Sequence, residues 1–247
     1  MKKEVLPANR FEKLYRCGEV TSTMDVCEEL IKSGVGRGIV VAESQTSGRG
    51  RNAKKWVSEA NGNIYLSFFD KLNIDFIPQR CAVAALSAVS QFVEKTETVL
   101  IKWPNDILVD KRKVAGIIAK TFDSRSKRFY ICGIGVNVFM PEDPENNFVW
   151  KPAAISEFAE VSSEGVLNRL VKAVNISFSC AQSSLIFDIY AGKTSWMFGK
   201  NIVFSQDLIR KETGRIVGFS DDFSVIGIET PDGLKKLSAL SVLAVNN

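Results

Sequence analysis

VAGIIAKTFDSRSKRFYICGIGVNV, residues 114–138, reads as two apolar strand runs folded back on a polar turn. Val114–Ala119 and Phe129–Val138 are rich in β-branched and aromatic residues, and Asp123-Ser124-Arg125-Ser126-Lys127 between them has turn chemistry. Just upstream, Asp110-Lys111-Arg112 joins a shorter run, Ile107–Val109, to the same hairpin, and Val99–Lys102 precedes it. Further out lie Gly38–Ala42 and Asn63–Phe69, also strand-like. Helical patterns separate these runs. Ser22-Thr23-Met24-Asp25 offers a hydroxyl cap and an early acid before an apolar stripe to Ile31, closed by Gly34. Pro78 opens a second helix to about Lys95. Consecutive hairpins interleaved with helices predict an α+β fold, a mixed β-sheet layered with helices. Downstream, Ala154–Phe158 starts one helix and Gly165–Tyr190 holds another. After Trp196 come four short strand runs, 201–205, 214–219, 223–228 and 240–245, with turns at Asp221-Asp222 and Pro231-Asp232-Gly233. They predict a small β-barrel-like unit, so the expected domains are residues 1–194 and 195–247.

Composition narrows the chemistry. The chain has 247 residues, 45% of them hydrophobic and 24% charged, with a net charge of +4. This is ordinary for a soluble globular protein and too mild for a dedicated nucleic-acid binder. There is no histidine, which excludes His-based triads and His-ligated metals. The five cysteines are scattered with no C-x-x-C pair, as expected of reduced thiols. The N-terminus lacks the apolar core of a secretory signal, and no run is long enough to span a bilayer, so a cytoplasmic protein with no membrane partner is expected.

Four segments stand out chemically. Gly48-Arg49-Gly50-Arg51-Asn52-Ala53-Lys54-Lys55-Trp56 combines close backbone approach, guanidinium forks and a flat aromatic face. Lys102-Trp103-Pro104-Asn105-Asp106 sets an amide and a carboxylate beside a strand end, although Pro-Asn-Asp alone is ordinary turn chemistry. Lys113 enters an apolar strand, where a cation can neutralise carboxylate or phosphate oxygens. Gly133 and Gly135 share one strand face, followed by Asn137, which can read a base edge. G-x-G here is not a dinucleotide fingerprint, and there is no P-loop, so a nucleotide would bind by another geometry.

In order, Ser22-Thr23, Glu43-x-Gln45-x-x-Gly48-Arg49-Gly50-Arg51 to Trp56, Lys102 to Asp106, Lys113-x-Ala115-Gly116 and Gly133-x-Gly135-x-Asn137 resemble the biotin protein ligase family. The β-rich tail is similar to that family's SH3-like C-terminal domain. The resemblance implies a class II synthetase-like catalytic domain and a two-step reaction. Biotin and ATP give biotinyl-5′-AMP with Mg²⁺, and biotin then passes to a lysine of the biotin carboxyl carrier domain of acetyl-CoA carboxylase or a related carboxylase. It implies that Ser22, Thr23 and Gln45 contact the biotin rings, and that Gly48, Arg49, Gly50 and Arg51 close over biotin and the adenylate phosphate. It also implies that Lys113 holds the reacting oxygens, Trp56 covers the adenine and Asn137 bonds its edge. Gly116, Gly133 and Gly135 would let the ligand lie on the sheet, Asn105 and Asp106 would belong to the active centre, and Lys54 and Asn105 would bind the nucleotide. Asp106 is expected to accept the proton of the incoming lysine, whose free pKa is about 10.4.

Four positions depart from the family pattern. Met24 replaces a common asparagine, and Asn52-Ala53-Lys54 replaces the usual arginine-glycine-arginine. About 20 residues precede Ser22, against the roughly 50 a DNA-binding domain needs, so no DNA partner is expected. A homodimer stays open. The alternatives are a lipoate or octanoate ligase or transferase, a nucleic-acid binder using residues 48–56, and an idle scaffold.

Overall fold

The computed structural model describes residues 1–6, 10–51, 54–141, 151–204 and 212–238. Among them runs an eight-stranded sheet built from β1 (Lys2–Val5), β2 (Lys13–Val20), β3 (Gly38–Gln45), β4 (Ile64–Lys71), β5 (Val99–Lys102), β6 (Asp106–Val109), β7 (Arg112–Ser124) and β8 (Lys127–Val136). Its order is β1-β2-β3-β4-β8-β7-β6-β5. All neighbours are antiparallel except β2 and β3, which helix α1 (Thr23–Lys32) joins as a crossover. The sheet is therefore mixed, as expected. The β7–β8 turn has positive φ at Arg125 and Ser126, the two-residue turn that suits the twist of a hairpin.

Alternation along the strands builds two apolar layers. Val40, Phe69 and Ile131 face α1, with Met24, Cys27, Leu30 and Ile31. Ile39, Phe68 and Cys132 face the other way, onto α2 (Ile77–Ser90), α3 (Ser163–Ser179) and α4 (Ser183–Thr194). α2 stops at Ser90, short of the predicted Lys95. The single helix predicted over 165–190 is two. The buried Arg80 guanidinium takes the carbonyls of Ser177 and Cys180 and the Ser183 hydroxyl, and Cys180 leaves helical geometry there. β1 and β2 were not predicted, because their charged, weakly alternating sequences carry little strand signal.

The C-terminal part is corrected in one respect. Among the described residues it is an open antiparallel sheet of four strands, β9 (Asn201–Phe204), β10 (Glu212–Phe219), β11 (Val225–Thr230) and β12 (Gly233–Ser238), in the order β12-β11-β10-β9. It is not a closed SH3-like barrel: β9 and β12 are its two edges and do not pair with each other. The turn predicted at Pro231–Gly233 leads straight into β12, an unpredicted strand, and the predicted run 240–245 lies outside the described residues.

Candidate active site

The cleft opens on the α1 face of the large sheet, where register brings small residues together. Gly135 pairs with Gly116 on one side and Tyr65 on the other, and Gly133 pairs with Ile118 and Ser67. A Cβ at Gly116 would stand 2.6 Å from Trp56 Cζ3, and one at Gly135 would overlap the same indole. The two glycines thus form a cradle filled by a flat ring.

At one end of the cleft a chain of neutral hydrogen bonds fixes the floor. Ser22 caps α1, its Oγ accepting from Met24 N at 3.3 Å. Gln45 Oε1 accepts from Thr23 N at 2.9 Å and from Thr23 Oγ1 at 3.2 Å. Thr23 Oγ1 lies 2.7 Å from Ser67 Oγ. Gln45 Nε2 donates to Ser58 Oγ at 2.8 Å, and Ser58 Oγ donates to the Trp56 carbonyl at 2.9 Å. Gly48 is required there, since any Cβ would overlap that carbonyl and the Ser58 hydroxyl. Met24 lies beside Gly133, so its thioether lines this floor in place of an amide.

The basic segment folds as a small turn, with Gly50 N bonded to Lys54 O at 2.7 Å and Trp56 N to Gly48 O at 2.9 Å. Its two arginines part company. Arg49 turns to the first turn of α1 and pairs with Asp25 at 2.8 Å, so its charge is engaged away from the floor. Arg51 enters the cleft and donates to Asn105 Oδ1 at 3.2 Å, while its Nη2 is buried without a hydrogen-bond partner. Burial lowers the Arg51 pKa, and the charge of Asp106 opposes that.

Beyond Arg51 lies a charge cluster. Asp106 is 7% exposed and meets Lys113 Nζ at 2.7 Å and Lys102 Nζ at 3.1 Å. Burial raises the Asp106 pKa, but the two lysines outweigh it and hold the carboxyl well below the usual range. Burial lowers the pKa of Lys102, against the pull of Asp106. Lys113 Nζ also stands 5.1 Å from the centre of the Trp56 ring. Asn105 is fixed by its Nδ2 on the Ile117 carbonyl at 2.7 Å. Asn137 uses its Nδ2 on the Ala153 carbonyl at 3.1 Å, so the group expected to read a base edge also ties the chain after residue 150 to the rim.

All sixteen residues singled out in the sequence, bar Gly48, line this cleft. Gly48 sits directly behind it. The reading overlooked Ser58, Ser67 and Lys102. Lys102 stood inside a quoted motif without a role, and Ser67 was detectable as a hydroxyl amid the apolar run Ile64–Phe69. Lining side chains include six cations, Arg49, Arg51, Lys54, Lys55, Lys102 and Lys113, against the single carboxylate of Asp106 among the described residues.

Residues 17–137, which hold every cleft residue named so far, match the model of the biotin/lipoate A/B protein ligase family. That stretch of the chain is a domain of that family. The bifunctional ligase/repressor BirA of Bacillus subtilis is 28% identical over 238 residues, spanning 90% of this chain and 71% of that protein. The biotin–[acetyl-CoA-carboxylase] ligase of Mycobacterium tuberculosis is 34% identical over 109 residues, covering 40% of this chain and 39% of the relative. Among solved structures, the biotin protein ligase from Aquifex aeolicus in complex with biotin and ATP superposes with a TM-score of 0.71 at 27% identity, over 92% of this chain and 96% of that one. The family match ends at residue 137, so the four-stranded sheet lies beyond it.

Proposed function

We propose that the chain is an ATP-dependent biotin protein ligase that forms biotinyl-5′-AMP and then biotinylates a lysine of a carboxylase carrier domain. The observation that carries the reading is one cleft joining a neutral hydrogen-bonded floor to a cationic wall, in which Lys102, Lys113 and Arg51 gather at the one carboxylate of Asp106 among the described lining residues. Such a wall suits an anionic acid beside a polyanion. The relatives' names, a biotin–[acetyl-CoA-carboxylase] ligase and an enzyme complexed with biotin and ATP, supply the substrates.

In the first step a carboxylate oxygen of biotin attacks the α-phosphorus of ATP. The bond to pyrophosphate breaks and a mixed anhydride forms. The residues act by position and charge: Lys113 and Arg51 gather the carboxylate and phosphate oxygens, and the Thr23–Gln45 floor holds the ring end. Trp56, lying on the Gly116–Gly135 cradle, offers the flat contact for the adenine. A magnesium ion bound with the nucleotide would add positive charge to the phosphates.

In the second step the acceptor amine attacks the acyl carbon, the bond to AMP breaks and an amide forms. Asp106 was expected to take the amine's proton. Flanked by two ammonium groups it is too weak a base for that; it places the acceptor ammonium, whose proton passes to solvent before the amine attacks.

The test is pyrophosphate–ATP exchange with Mg²⁺, run separately with biotin, lipoate and octanoate on wild type and Lys113→Ala. Exchange with biotin that falls about 10²–10³-fold in the variant supports the reading. Exchange with lipoate or octanoate instead moves the substrate within the family, and no exchange with any acid removes the adenylation.

A further inference from the structure

We propose that Phe223, at the tip of the β10–β11 hairpin, is a positioning residue that clamps the Trp103–Asn105 turn and thereby sets Asn105 and Asp106 in the cleft. The inference rests on the ligase reading above for its activity readout.

The turn between β5 and β6 is held from outside at Trp103 and Pro104 and from the cleft at Asn105. Trp103 is fully buried, and its indole Nε1 donates to the Phe223 carbonyl at 2.7 Å across 120 residues of sequence. Its backbone N–H meets Met197 Sδ at 3.2 Å. The Pro104 carbonyl accepts from the buried Tyr190 hydroxyl at 3.0 Å. Asn105 is gripped from the cleft side by Arg51 and by two bonds with Ile117.

Phe223 gathers these contacts from behind. Its φ of 56° is the left-handed region that bulky residues rarely adopt, so the surroundings must hold it there. Hydrogen bonds around Asp222 and three ring contacts do so. Asp222 Oδ1 accepts from Ser220 Oγ and Ser224 Oγ, each at 2.7 Å, and from Ser224 N at 3.0 Å. The Asp222 carbonyl accepts from Gln79 Nε2 of α2 at 2.7 Å. The Phe223 ring stacks on Phe219 at 4.9 Å and meets Phe187 and Tyr190 edge-on, each at 5.2 Å. One residue thus joins the second sheet and α4 through its ring and the turn through its carbonyl. The floor formed by Ser22, Thr23, Gln45 and Ser67 sits on α1, β3 and β4, and its bonds run within those elements and to Ser58. Loosening the clamp shifts Asn105 and Asp106 against Lys113 and leaves the floor in place. A displacement of about 1 Å is enough to cost about 10²-fold in rate.

The test compares full-length wild type, Phe223→Ala, Phe223→Tyr and Asp222→Ala. Biotin-dependent pyrophosphate exchange in Phe223→Ala should lose at least roughly tenfold in kcat while the calorimetric Kd for biotin stays within about threefold. Phe223→Tyr should restore most of the rate, and Asp222→Ala should show a smaller split of the same kind. Independently of turnover, NMR should show the Trp103 indole N–H exchanging faster and the Asn105 side-chain amide shifting in Phe223→Ala. A wild type without exchange, but with that shift, sinks the ligase reading and leaves the clamp standing. Unchanged kcat, parallel loss of kcat and biotin affinity, or an unmoved Asn105 amide overturns the clamp. If Phe223→Ala does not fold, Asp222→Ala decides by the same criteria.

Discussion

The two ends of the cleft hold their side chains by different physics. At the α1 end, Ser67, Thr23, Gln45, Ser58 and the Trp56 carbonyl form one run of neutral hydrogen bonds. Each such bond contributes about 1 kcal/mol net, so the run defines a shape more than it stores energy. At the β7 end, Lys102, Lys113 and Arg51 crowd around Asp106, and the charges are far from balanced. A satisfied network selects a ligand by fit. An unbalanced one selects it by sign. A substrate that is a neutral ring at one tip and an anion at the other matches both.

The largest effect should come from the charged end. Asp106→Asn removes the buried carboxylate that the Lys102 and Lys113 ammonium groups share. A loss of about 3–5 kcal/mol in stability is expected, measured by thermal unfolding. The pH dependence sharpens this. The folded-state pKa of Asp106 is depressed, so its contribution is complete above the unfolded value of about 3.9 and fades as the pH falls below it. The gap between wild type and variant should therefore be widest near neutrality and shrink below about pH 4. A constant gap would mean that Asp106 acts through packing and not through charge.

At the seam between the two ends, Gly135→Ala forces the Trp56 indole off the sheet. The KM for ATP should rise about tenfold, equivalent to about 1.4 kcal/mol, with the biotin Kd unchanged in calorimetry. A rise in the biotin Kd instead would place the ring end over the glycines and reverse the assignment of the ends. The smallest effect is expected at the neutral end. Ser67→Ala should weaken biotin binding by about 1 kcal/mol and leave the KM for ATP alone. If Ser67→Ala alters ATP and biotin equally, the two ends are not separable.

Parts of this picture were legible in the sequence because they are local. The hairpin at residues 114–138, the glycine pair and Lys113 announce themselves through alternation, turn chemistry and a cation in an apolar run. The rest depends on partners distant in the chain. Nothing near Arg49 says that Asp25 will take it while Arg51 goes inward. Nothing near Trp103 points to a carbonyl 120 residues away. Ser67 looks like an ordinary strand residue until Thr23 is brought against it. The β2–β3 parallel pairing was equally hidden, since β2 is charged and irregular and only the α1 crossover brings it beside β3.

The sharing of Asp106 by two lysines has one more consequence. A carboxylate with a single ammonium partner is stranded when that partner turns away. Asp106 is not, because Lys102 sits at the back of the pair, 9% exposed in its side chain, while Lys113 stands nearer the opening at 27%. The outer lysine can be lent to an arriving oxyanion while the inner one stays as ballast. The resting cleft thus carries its own exchangeable counter-ion, and loading it is a swap of partners.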